Sequence, residues 1–168
     1  VGRTSVEPAP VRATILPPDG TSLVSTSIFA GPVIVSPDGS RLAFVARKGE
    51  GRTMLWVRSL RSFATQMLEG TEGATRPFWS ADSRHLGFFT DRKLKKIEAS
   101  GGPVLTLADT PDARGGTWNK GNRSRGENLV FSLTTGVYSL SSLPRDSILV
   151  TVVTRQACFQ HEERGLTP

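Results

Sequence analysis

A ten-residue phrase occurs twice in this chain, and no other feature restricts its fold so tightly. Val35-Ser36-Pro37-Asp38-Gly39-Ser40-Arg41-Leu42-Ala43-Phe44 lies without gaps over Trp79-Ser80-Ala81-Asp82-Ser83-Arg84-His85-Leu86-Gly87-Phe88. The two copies share the Ser, the Asp, the Leu, the Phe and a small residue before the Phe. Each reads as an apolar strand, a tight turn and a second strand. Pro37 pre-sets the φ of its turn, Asp38 can bond its own backbone, and Gly39 takes the positive φ that closes the hairpin. A strand–turn–strand unit repeated at a fixed spacing points to a stack of like units.

The residues around the phrase supply the rest of each unit. Strands are expected over 33–35, 41–46, 54–60 (with Trp56) and 64–68, then over 75–79, 93–99 and 104–108, with a turn at Ser100-Gly101-Gly102-Pro103. Phe44 and Phe88 are 44 residues apart, and Trp79 and Trp118 are 39 apart. Four short strands in each period of about 40 residues is the layout of one propeller blade. A third unit opens at Gly116-Thr117-Trp118-Asn119, with strands over 129–132, 137–140 and 148–153. Trp118 to Phe131 is 13 residues where Trp79 to Phe88 is 9, so an insertion within 120–127 replaces the Ser-x-Asp turn.

The fold class expected is therefore all-β, a partial β-propeller of about three blades of four antiparallel strands. Its parts are a linker and lead-in strand (1–30), blades at 31–74 and 75–115, a divergent blade at 116–154 and a polar tail at 155–168. Within the lead-in, 11–16 alternates like a strand, Pro17-Pro18-Asp19-Gly20 reads as a turn, and the small, polar 21–30 reads as a loop. Propellers close with about four to eight blades. Three do not make a ring, and an open stack exposes strand edges. The remaining blades are expected from a longer polypeptide or from an oligomer.

Composition agrees where it bears on the question. A hydrophobic content of 37% with 17 Gly and 11 Pro suits short strands and many turns. No stretch approaches the roughly 20 apolar residues of a membrane span, and residues 1–10 lack an apolar leader core. The net charge of +6 raises the question of nucleic acid. Lys and Arg are scattered among turns, however, and the densest run, Arg92-Lys93-Leu94-Lys95-Lys96, lacks the interleaved aromatics of a single-strand platform. No nucleic-acid partner is expected. Lone Cys158 excludes an internal disulfide framework.

Motifs for chemistry fail one by one. Gly49-Glu50-Gly51-Arg52-Thr53-Met54 begins like a phosphate loop but lacks the third Gly, and neither H-R-D nor D-F-G occurs. No G-x-S-x-G elbow is present. His85 is expected at a solvated rim position, and His161-Glu162 is followed by Gly165 where a zinc motif needs its second His. Asn122-Arg123-Ser124 matches a glycosylation acceptor only formally. Asp38 and Asp82 occupy equivalent turns and read as caps, so Ser36, Pro37, Asp38, Gly39, Ser80 and Asp82 are assigned to turn structure. Phe44, Trp56, Trp79, Phe88, Trp118 and Phe131 are assigned to packing between blades. No catalytic, metal or cofactor site is expected.

What remains is a surface. In propeller geometry the loops after the second and fourth strands of each blade gather on one rim. Arg47, Lys48, Glu50 and Arg52 fall in the first such loop, Glu69, Glu72 and Arg76 in the second. Asp91, Arg92 and Lys93 fall in the third, and Asp109, Asp112 and Arg114 in the fourth. Charged loops on a rigid scaffold suit recognition of a protein or peptide.

The repeat residues resemble TolB-type, WD-repeat-like propellers. A narrower resemblance rests on the strings L-W-V-R-S-L, G-T-E-G-A-T-R-P-F-W-S-A-D-S-R-H-L-G-F-F, L-K-K-I-E-A-S-G-G-P and R-G-G-T-W-N-K. They are similar to the C-terminal propeller of bacterial serine/threonine protein kinases of the eukaryotic-like type, over roughly 11–154. That resemblance implies a non-catalytic sensing or interaction module behind a kinase domain and a membrane helix, on the extracytoplasmic side. A periplasmic TolB-like scaffold and the propeller of a serine peptidase are the alternative parents. The altered third turn and the end of the sequence near a fourth blade are departures from the pattern.

Overall fold

Alternating side chains and turn-forming tetrapeptides leave this sequence little besides strands to form, and strands are what it forms. The computed structural model describes residues 16–24, 33–62, 64–120, 128–133, 136–142 and 148–153. Among them every regular element is a β-strand. The first sheet holds β1 (Thr21–Leu23), β2 (Ile34–Val35), β3 (Arg41–Lys48), β4 (Thr53–Ser59) and β5 (Thr65–Met67). The second runs β6 (Thr75–Trp79), β7 (His85–Thr90), β8 (Lys93–Glu98) and β9 (Leu105–Asp109). The third runs β10 (Ala113–Asn119), β11 (Asn128–Leu133), β12 (Gly136–Ser142) and β13 (Ile148–Val153). All neighbours in each sheet pair antiparallel. β6 lies against both β2 and β10, so the first strands of the three sheets stand side by side. The stack does not close.

The first sheet corrects one expectation. Residues 21–30 read as a loop, yet Thr21–Leu23 is a strand. β2 pairs only with Leu42 and Ala43, although β3 is eight residues long. That leaves the far half of one β3 edge open, and unpaired backbone groups there are costly once buried. β1 supplies the missing partner by pairing Leu23 with Ala46, Ser22 with Arg47 and Thr21 with Lys48. The inner strand of this sheet is thus built from two separate pieces of chain.

Two apolar clusters join the sheets. Ala43, Val45, Leu55, Val57 and Leu68 of the first sheet pack against Trp79, Leu86, Phe88, Ile97 and Ala99 of the second and its margin. Phe78, Phe89 and Leu94 pack against Trp118, Leu129 and Phe131 of the third. The two-residue period of a strand explains the division. Leu86 and Phe88 face the preceding sheet, while Phe89 faces the following one. Leu129 and Phe131 repeat the arrangement. Leu42 and Phe44 hold the equivalent places in β3, so they face away from the second sheet, on the same side as Trp56, which stands opposite Phe44. Phe44 is buried all the same, whereas Trp56 is half-buried, outside both clusters, with its Nε1 unpartnered among the described residues.

The small residue before the repeat Phe also has a physical reason. A Cβ on Gly87 would lie 2.3 Å from Cζ of Phe78, and one on Gly116 would lie 2.6 Å from Cε1 of the same ring. Phe78 therefore fills the space that two glycines leave on adjacent sheets. The strand expected within 11–15, most of the insertion (121–127), the tail at 155–168 with Cys158 and His161-Glu162, and Asn122-Arg123-Ser124 fall outside the described residues.

Candidate interaction rim

The connections between strands divide between two ends of the stack, and the two ends differ in chemistry. At one end sit the Ser-x-Asp turns. Ser36 Oγ donates to Asp38 Oδ1 at 2.6 Å, and the amides of Ser40 and Arg41 donate to Asp38 Oδ1 and Ser36 Oγ. Ser80 Oγ donates to Asp82 Oδ1 at 2.6 Å, and the amides of Arg84 and His85 complete the same pattern. Gly39 closes the first turn at φ 70°, and Ser83 holds the same place in the second at φ 63°. Hydroxyl and amide donors from Ser36 and Ser40, aided by Arg41, bring the carboxyl of Asp38 down to about 2. Burial opposes ionisation at Asp82, but Ser80, the Arg84 amide and the charges of His85 and Arg84 outweigh it and hold that carboxyl below its usual range. These carboxylates are committed to their turns.

The turn end also links the sheets. The amide of Asp38 donates to Ser83 Oγ at 3.1 Å, and the Arg41 guanidinium donates to the Ser83 carbonyl. Arg41 also stands over the Trp79 ring, 5.3 Å from its centroid. His85, which takes the place of Arg41 in the second sheet, lies 6.0 Å from the Trp118 ring. This departs from the solvated position expected for His85. It is half-buried, with Nδ1 enclosed and unpartnered among the described residues.

The other end carries the charged loops. Arg47, Glu50, Arg52, Gly73 and Asp91 line a hollow of about 370 Å³ between the first and second sheets. Arg76, Asp91, Arg92, Asp112 and Arg114 line a second hollow of about 400 Å³ between the second and third sheets. Gly73 and Asp91 belong to both, so the hollows adjoin. Hydrogen bonds fix the loops to one another. The Gly73 amide donates to the Thr53 carbonyl at 2.8 Å, and Thr90 Oγ1 donates to the Glu72 carbonyl at 2.8 Å. The Thr110 amide donates to the Arg92 carbonyl at 2.6 Å.

Not every residue of the expected rim takes part. Lys48, Glu69 and Glu72 line neither hollow. Lys93 and Asp109 pair with each other at 2.7 Å, and the ammonium holds the Asp109 carboxyl below its usual range. Both side chains are well exposed, so the pair adds little to stability. Sequence reading missed Thr75, Phe89, Thr90 and Thr110, which form the walls and floor of the second hollow. For Thr110 a signal existed. It precedes Trp118 by the same eight positions as Thr71 precedes Trp79. Among the described residues no group of three or more His, Cys, Asp or Glu could hold a metal ion, and no helix is long and apolar enough to cross a membrane.

No protein-family model matches the chain, and no curated protein does. Solved structures do resemble it. The β-propeller domain of Cps50 (Swd1) from Myceliophteria thermophila superposes with a TM-score of 0.53 at 13% identity, covering 79% of this chain and 41% of that one. TolB from Acinetobacter baumannii gives 0.49 at 12% identity, over 70% of this chain and 31% of that one. The WD40 domain of SCAP from fission yeast gives 0.49 at 16% identity, over 81% of this chain and 37% of that one. The first likeness, with the three open antiparallel sheets, makes the fold that of a partial β-propeller. The chain spans less than half the length of each of these structures.

Proposed function

We propose that this chain is a non-catalytic recognition or sensing module whose protein or peptide partner docks on the charged rim. One observation carries the reading. Loops from successive sheets converge, held by backbone and threonine hydrogen bonds, and line two adjoining hollows with arginine and aspartate side chains. A surface assembled from several loops on paired strands is pre-ordered, so a partner binds it with little loss of conformational entropy. The opposite end offers no comparable opportunity, because its carboxylates are spent on their own turns.

The finer reading places the module in the C-terminal part of a membrane-anchored bacterial serine/threonine kinase, on the extracytoplasmic side. The sequence strings quoted above support it. The remaining blades come, in this reading, from a longer chain or from an oligomer. Sequence upstream of Val1 tests the parentage: a membrane helix preceded by kinase motifs supports it, and a signal peptide alone counts against it.

The rim itself is tested by comparing captured partners of the wild-type chain with those of two variants. Replacing Arg47, Glu50 and Arg52 together by Ala is expected to reduce capture at least tenfold. Replacing Arg84 by Ala at the opposite end is expected to leave it unchanged. Equal capture by all three proteins sinks the assignment of the rim.

A further inference from the structure

The hollow between the second and third sheets has features that docking in general does not require. It is lined by three guanidiniums, Arg76, Arg92 and Arg114, against two carboxylates, Asp91 and Asp112. Arg92 and Arg114 are exposed at the mouth, whereas Arg76 is half-buried with its guanidinium donating to the Ala113 carbonyl. Burial and the neighbouring Arg114 charge together lower the pKa of Arg76.

The floor supplies a second, independent observation. Thr110 is 1% exposed, and its Oγ1 is buried with no partner among the described residues. Its repeat counterpart is fully used: Thr71 Oγ1 donates to the Leu68 carbonyl at 2.6 Å and accepts the Leu55 amide at 3.0 Å. The difference has a cause in the strands. β9 carries one extra residue, Leu107, between its pairs with Leu94 and Lys95, so Ala108 stands opposite Leu94. In the first sheet Leu68 itself bonds across to Leu55. The shift of one place separates Thr110 from the amide that its counterpart binds. A buried hydroxyl left without a partner is costly.

Backbone strain gathers at the same place. Arg76, Asp91 and Arg92 have φ of 46°, 49° and 61°, and all line this hollow. Asp91 and Arg92 form the whole of a two-residue hairpin between Thr90 and Lys93, where Asn-Gly is the favoured pair. A left-handed conformation is unfavourable for a residue that carries a Cβ. Such strain is retained at sites that need a particular side chain. Glycine would relieve it but would remove the guanidinium.

From these features we infer that the hollow lined by Arg76, Arg92, Arg114 and Thr110 is a binding site for an oxyanion, a phosphate or carboxylate group. Arginine forks match such groups in charge and in geometry, and Thr110 lies beside them in the lining with a hydroxyl that has no partner among the described residues. The inference deepens the rim reading and rests on it for one source of the anion, an acidic or phosphorylated side chain of the docked peptide. The other source is a free anion in solution.

Titration calorimetry on the 168-residue chain tests this with two probes: inorganic phosphate, and a short capped peptide bearing one phosphoserine. Binding of either is expected to weaken at least tenfold in Arg76→Gln and in Arg92→Gly, and to survive in Arg84→Gln, which removes a charge at the other end. Arg92→Gly relieves backbone strain, so its thermal midpoint is expected to hold or rise, and loss of binding there cannot be loss of fold. Comparable affinity for both probes assigns a free anion, and binding of the peptide alone assigns a group carried by the partner. No binding of either probe at millimolar concentration, or equal binding by all variants, overturns the inference. The rim reading would then still stand on the alanine substitutions at Arg47, Glu50 and Arg52.

Discussion

Phe78 occupies a slot that exists only because Gly87 and Gly116 lack a Cβ. Gly87→Ala and Gly116→Ala are each expected to destabilise the fold by about 1–3 kcal/mol, the usual cost of overfilling a packed site. Urea unfolding measures it. If the clash is the cause, combining either change with Phe78→Leu recovers part of the loss, giving a non-additive double-mutant cycle. Additive losses would mean that something other than the ring opposes the methyl. The turn carboxylates give a second prediction at this scale. Donors from Ser36 and Ser40 bring the Asp38 carboxyl down to about 2 in the folded chain, and Asp82 is lowered as well. A depressed folded pKa contributes stability that is present above the unfolded value and lost as pH falls through the folded one. Stability should therefore drop between about pH 4 and pH 2, and less steeply in a variant with both residues changed to Asn. An identical acid profile in that variant would remove these turns from the account.

Between elements, the residue that opens the second strand of one sheet reaches the tryptophan near the end of the first strand of the next. Arg41 does so at Trp79 and His85 at Trp118. Arg41→Ala should cost roughly 0.5–1 kcal/mol, the worth of a partly exposed cation–π contact, plus its bond to the Ser83 carbonyl. His85→Arg restores the pair found between the first two sheets and is expected to be tolerated, while His85→Ala is expected to loosen the third sheet first. Hydrogen exchange read strand by strand distinguishes the cases. Equal protection of β10 in His85→Ala and wild type would show that the contact does not couple the sheets.

At the scale of the whole stack, these 168 residues on their own are expected to associate. Known propellers remove or shorten their exposed edges by closing, and a stack that stays open keeps edges that template pairing. At micromolar concentration, light scattering is expected to give a mass above the 18.1 kDa of one chain. The thermal midpoint is expected to fall on dilution, as mass action requires for a fold completed by a second copy. A monomer whose midpoint ignores concentration would show that three sheets are sufficient on their own.

Much of this was legible in the residues because strands and turns are written locally. Period-two alternation and the tetrapeptide Ser36-Pro37-Asp38-Gly39 state where a hairpin turns, and a repeat spacing of about 40 residues states that such units stack. Local rules have no term for what a distant segment must do, so the pairing of Thr21–Leu23 with β3 escaped them: it answers an edge that β2 is too short to cover. Nor could they separate Thr71 from Thr110, two residues at one repeat position whose hydroxyls differ because of a single extra residue in β9. The kinds of elements and their order are properties of the sequence. Which edges need covering, and which buried donors lack a partner, depends on contacts between segments far apart in the chain, and only the tertiary structure decides them.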